Sequence, residues 1–178
     1  MSNLRGVISF ALAAVMAASI ASVLSARQTT AQAKPAPPAD PHAQMHARGN
    51  HVMGFDQDKT THHFLLYEDG GAIEVRVNDV ADKTNRDAIR SHLPHITRMF
   101  GSGDFSAPML VHDTNVPGTK ELAVLKDRIH YTYVETPAGG RVDVVTTDRE
   151  ALDALHRFLR YQITDHKTGD SVQVGKRR

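Results

Sequence analysis

The sequence predicts an α+β fold in which tandem ββα repeats form a four-stranded antiparallel sheet with two amphipathic helices on one face. Three observations predict it. Two pairs of short β-prone runs flank glycine turns, and each pair precedes a stretch of helical periodicity. Matching features also recur 63 to 69 residues apart: Ala88 with Ala151, His63 with His130, and Gly71 with Gly140.

In chain order, HFLLY (63–67) and AIEVRVN (72–78) surround Glu68-Asp69-Gly70-Gly71. Asp-Gly is a hairpin signal because both residues tolerate positive φ. After Thr84, which makes a T-x-x-D capping box with Asp87, residues Ile89, His92, Leu93, Ile96, Met99 and Phe100 fall on one helical face. That helix runs into Gly101-Ser102-Gly103-Asp104. Pro117-Gly118 opens a short helix over 119–126. HYTYVET (130–136), the turn Pro137-Ala138-Gly139-Gly140 and RVDVVTT (141–147) form the second hairpin. Asp148 then caps a helix whose apolar face carries Leu152, Leu155, His156, Leu159 and Ile163, with a glycine stop at Gly169. The alternative arrangement is a ferredoxin-like βαββαβ fold, in which one hairpin is instead a strand plus a loop.

With 178 residues, 40% hydrophobic and 23% charged, the chain suits one globular domain and excludes collagen-like, wholly disordered and multi-span membrane classes. Residues 1–33 read as a cleaved signal peptide, with Arg5, an apolar run over 7–24 and the small-x-small site Ala31-Gln32-Ala33. The expected location is therefore exported, periplasmic; the alternative is an inner-membrane anchor formed by uncleaved residues 7–24. Small residues dominate that run, which weakens insertion. Without residues 1–33 the chain holds 19 Lys and Arg against 20 Asp and Glu. That balance argues against a nucleic-acid partner, and against a membrane partner after signal cleavage. There is no cysteine, so the core alone must stabilise a protein of an oxidising compartment. Residues 34–53 read as a Pro/His/Met-rich tether, 54–170 as a single α+β domain and 171–178 as a disordered basic tail.

All 11 histidines lie beyond residue 41. The most specific group joins His62 and His63, at the start of the first strand, with His92 and His95, three apart on the first helix. Such spacing lets both helical rings face one ion while a strand histidine supplies a third ligand. Only one of His62 and His63 can face the helix, because neighbouring strand residues point to opposite sides. Met109 and His112, in the loop 107–113, add candidate ligands, with Asp113 placed to orient His112. The tether contributes His42, Met45, His46, His51 and Met53, and imidazole with thioether suits copper. His156, on the buried helix face, reads as core. His166 near a helix C-terminus and His130 at a strand start have ordinary structural roles.

The motifs G-x-S-x-G, H-E-x-x-H, G-x-G-x-x-G and the P-loop are all missing, which leans against an enzyme. The leading expectation is a non-enzymatic exported protein that binds copper or zinc through a histidine cluster. The alternatives are a metal-free interaction module that meets a protein partner through a sheet face or edge, and a small histidine-dependent hydrolase or transferase.

From Met53 to Asp170 the chain resembles a group of small exported bacterial proteins of unknown function. The resemblance is carried by MGFDQDKTTHHF (53–64), the Gly70-Gly71 turn, RDAIRSHLPHITRMFGSGDFSAPMLVHD (86–113), ETPAGGRV (135–142) and HRFLRYQITDHKTGD (156–170). Some members of that group carry an aspartate carbamoyltransferase label, but the S-T-R-T phosphate loop of those enzymes has no counterpart in this chain. The resemblance implies an envelope location and no established activity.

Overall fold

The computed structural model describes residues 40–177; the signal-peptide or anchor segment and residues 34–39 of the tether lie outside them. The element order is α1 (Pro41–Met53), β1 (Thr60–Tyr67), β2 (Gly70–Val77), α2 (Lys83–Gly101), α3 (Ser106–His112), α4 (Thr119–Val124), a 3-10 turn (Lys126–Arg128), β3 (His130–Thr136), β4 (Gly139–Val145) and α5 (Arg149–His166). The fold is α+β. Its four strands form one open antiparallel sheet in the order β1-β2-β4-β3. Both hairpins are present, so the ferredoxin-like alternative is not adopted. Among the described residues no helix is long and apolar enough to cross a membrane.

Alternation along the strands decides the core. His62, Phe64 and Leu66 of β1 stand on the same side as Val75, Ile73 and Gly71 of β2, their register partners. On β4, Val142 and Val144 continue that side, paired with Ile73 and Gly71. Leu93 of α2 comes close to Gly140, and Leu155 and Leu159 of α5 come close to Gly71. Gly71 requires glycine, because a Cβ there would sit 2.4 Å from Leu159 Cδ1 and 2.7 Å from the Leu65 carbonyl. His156 is core, as read from its helix face: its Nε2 donates to the carbonyls of Tyr67 and Gly70, 3.0 Å each, and so closes the β1–β2 turn.

Helix starts follow carboxylates. Asp148 caps α5 by accepting from the Ala151 N–H at 3.0 Å. The α2 cap is Asp82 rather than Thr84. Its side chain accepts from Asn85 N at 3.0 Å and from Asn85 Nδ2 at 2.7 Å, an acceptor pairing that the T-x-x-D box cannot match. Pro94 lies inside α2, which nonetheless runs unbroken over 19 residues.

Three segments differ from their sequence readings. The stretch 107–113, expected as a loop, lies largely in α3, with Asp113 closing that helix in the left-handed region at φ 53°. Much of the expected tether is helix α1: the Asp40 side chain accepts from His42 N, Pro41 takes the first turn, where its missing N–H costs nothing, and Met45 and Gly49 are buried. Arg48 Nε then donates to the Val111 carbonyl at 2.7 Å and ties α1 to α3. The C-terminal tail is docked rather than disordered. Gly175 exchanges backbone bonds with Leu66 and Glu68, 2.9 and 3.2 Å, along the outer edge of β1. Beyond it, Arg177 lies over the Tyr67 ring at 4.6 Å and binds Asp143 at 2.7 Å and Asp69 at 3.1 Å.

Overpacking at a close approach costs about 1–3 kcal/mol. Gly71→Ala is therefore expected to lower unfolding stability by that amount. Gly101→Ala, whose added Cβ meets nothing within 4 Å, is expected to be neutral or stabilising by up to about 1 kcal/mol. Urea denaturation midpoints of the two variants check the contrast.

Candidate functional site

Histidines from four elements meet at one end of the sheet. Strand alternation turns His62 toward the helices. There its ring stacks on His166, at the C-terminal end of α5, with centroids 5.4 Å apart and planes 22° apart. Phe55 and Phe64 flank the His62 ring at 5.8 and 6.1 Å. His112 of α3 meets His166 edge-on at 4.9 Å. From α1, His42 and His46 are four residues apart, which places them on one helix face; their rings are 4.3 Å apart. The four rings of His42, His46, His62 and His166 line an open cavity of about 270 Å³ together with Gln57 and Thr60.

Hydrogen bonding separates used from unused nitrogens. His112 has both engaged: Nδ1 lies 2.5 Å from Asp165 Oδ2, and Nε2 lies 2.9 Å from Gln162 Oε1. His46 Nδ1 meets Asp58 at 3.1 Å. By contrast, Nε2 of His42 and Nε2 of His62 are buried with no hydrogen-bond partner. A buried unsatisfied polar atom costs about 1–3 kcal/mol, so each of the two calls for an explanation.

Burial sets the electrostatics. His62 is pushed down to about 3, first by burial and then by the neighbouring rings of His92, His46 and His63. His166 falls to about 2, again first by burial and then by His62, His112, His46 and His42. His92 falls to about 4 through burial and the proximity of His95. All three are neutral imidazoles at pH 7, each with a nitrogen lone pair. The position of His166 near a helix C-terminus favours a cation by only about 0.3–1 kcal/mol, and burial reverses that preference.

The residues singled out from sequence are divided by the fold. His62 and His92 both line an inner apolar cavity of about 70 Å³, along with Met53, His112 and His166. His63 faces away from it, and its Nδ1 lies 2.8 Å from Asp170 Oδ1, whose other oxygen accepts the Phe64 N–H at 2.9 Å. His95 is exposed beside a separate outer groove that it shares with His92. His51 is exposed, and Met109 is 36% exposed on α3. Asp165, not Asp113, orients His112. From sequence His166 has only an ordinary role at a helix C-terminus, because its ring partners His62 and His112 lie more than fifty residues away in the chain. The spacing of His42 and His46 was the one local signal, readable only once α1 is known to be a helix. As the side chains stand, no group of three His, Asp or Glu among the described residues is arranged to hold a metal ion.

Comparison of the chain with protein families, with curated proteins and with solved structures finds no match.

The depressed histidines predict acid sensitivity with a definite sign. Above pH 6.5 the folded and unfolded chains both carry these rings neutral, and stability is full. Below 6.5 the unfolded chain takes up protons that the native one refuses, down to the folded values of about 4, 3 and 2. Each ring then costs about 1.4 kcal/mol per pH unit. Urea unfolding of metal-free protein is expected to lose at least about 2 kcal/mol between pH 7 and pH 5. His62→Phe, which keeps an aromatic ring but cannot take up a proton, is expected to flatten that slope by about one ring's share. An unchanged slope in the variant contradicts the assignment.

Proposed function

We propose that the chain is an exported, non-enzymatic protein that binds a transition metal, copper or zinc, through His42, His46, His62 and His166. One observation carries the reading: imidazoles from α1, β1 and α5 share a cavity, and two of them bury an Nε2 atom with no partner. Imidazole serves zinc and both oxidation states of copper. Because His62 and His166 are already neutral, they bind a metal without first losing a proton, which removes the usual competition at neutral pH. Binding requires His42 and His46 to turn about their side-chain torsions toward the stacked pair, since the rings do not converge on one point as they stand. His92, His95, Met109 and His63 fall outside this ligand set.

The two ββα segments are read as copies of one unit with α2 and α5 on the same sheet face. Supporting this, Gly71 lies beneath α5 and Gly140 beneath α2, at equivalent hairpin positions. The resemblance to exported proteins and the signal-like residues 1–33 favour the periplasm. A metal-free interaction module is the competing reading. It is favoured by β3, which ends the sheet, since an unpaired strand edge is a template for a partner's strand.

Calorimetric titration with zinc and with copper tests the choice. Wild type is expected to bind one equivalent with submicromolar affinity. The double variant His62→Phe/His166→Phe is expected to lose at least 100-fold, while His63→Ala and His95→Ala bind as wild type. Absence of stoichiometric binding, or full binding by the double variant, overturns the metal reading and leaves the interaction module.

A further inference from the structure

A second set of donor side chains stands where α1 ends against α2. Ala88, Ser91, His92 and His95 are spaced three and four apart and so share one face of α2. Met53 and Gly54, at the end of α1, complete an open groove of about 300 Å³ with them. None of the four histidines of the proposed metal cavity lines it. Among the described residues neither His92 nor His95 has a hydrogen-bond partner. Phe55 meets the His92 ring edge-on with centroids 5.7 Å apart, which holds the ring in place.

The lining selects the kind of ion. Its donors are the Met53 thioether and two imidazoles, and no carboxylate is among its residues. A divalent ion would bring two charges to a partly buried site with nothing to offset them, so uncharged donors alone favour an ion of single charge. Thioether and imidazole together suit copper(I) in that role. Gly54, Ala88 and Ser91 are small, which leaves the donors room to close on an ion. Residues three apart on a helix have Cβ atoms about 5–6 Å apart, a span that two imidazoles bridge by rotation about their side-chain torsions. Met53 is unbranched and flexible enough to bring its sulfur to the same point.

We infer that this groove is a copper(I) site, with Met53 Sδ and one ring nitrogen each from His92 and His95 as ligands. It is separate from the histidine cavity and does not depend on that cavity's taking a metal. Zinc and copper(II), the aquated ions that calorimetry delivers, prefer the four imidazoles of the cavity, so His95→Ala is silent in that titration.

The test is an anaerobic titration with copper(I), with bicinchoninate as the coloured competing chelator. It uses the His62→Phe/His166→Phe protein, in which the cavity has lost two ligands, labelled with ¹³C in its methionine methyl groups. Expected are one bound copper(I) and a shift of the Met53 methyl resonance, assigned by its loss in Met53→Leu. Loss of a mere hydrogen-bonded support of a metal ligand costs about 10–100-fold in affinity, so removing a ligand by Met53→Leu or His95→Ala is expected to cost at least about tenfold. Should the double variant fail to fold, the Met53 methyl shift and the effect of His95→Ala are read in the wild-type background and decide in the same way. No bound copper(I), an unmoved Met53 methyl, or undiminished binding by either ligand variant overturns the inference, whatever calorimetry shows for the histidine cavity.

Discussion

The stacking of His166 on His62 joins the last residue of α5 to the third residue of β1, and the character of the surrounding site depends on that pair. Two protonated rings 5.4 Å apart would repel by about 3 kcal/mol at an effective dielectric of about 20. That exceeds what a helix C-terminus returns to a cation, and burial among Phe55 and Phe64 adds to the penalty. The pair therefore stays neutral, and from this follow its unused lone pairs, its acid sensitivity and its tolerance of an apolar cavity alongside. A lysine or arginine at either position would carry its charge into the same place with no partner to offset it.

Segments outside the sheet and its two long helices complete the site. α1 brings His42 and His46 to the cavity mouth and is held by a few specific contacts: the Asp40 cap, buried Met45, and Arg48 on the Val111 carbonyl. The tail covers the outer edge of β1, the strand that carries His62, and Arg177 fastens the end of that tail to Tyr67, Asp69 and Asp143. An edge strand with a covered backbone keeps its register, and register decides which of His62 and His63 faces the core. β3, at the other edge, bears none of the clustered histidines.

Local physics made much of the fold legible. Glycine turns beside alternating runs predicted both hairpins, apolar periodicity predicted α2 and α5, and the buried face of α5 predicted that His156 is core. The failures have physical causes. Proline content suggested an extended tether, yet Pro41 sits in the first helical turn, where proline is favoured. The tail looked too polar to dock because its anchorage is backbone pairing and one arginine, not apolar area. The α3 helix is short, and its apolar residues show too little periodicity to mark it. The site itself was half legible. Alternation left His62 and His63 as rivals, and spacing pointed to His92 and His95. His166 reaches His62 through tertiary packing that no window of sequence displays.

The most direct test of this account is to follow the ring resonances of His62 and His166 by NMR in folded, metal-free protein as pH is lowered. The account predicts that both keep neutral-imidazole shifts to about pH 4, or until the protein unfolds. Titration of either ring near pH 6.5 with the native fold intact would contradict it.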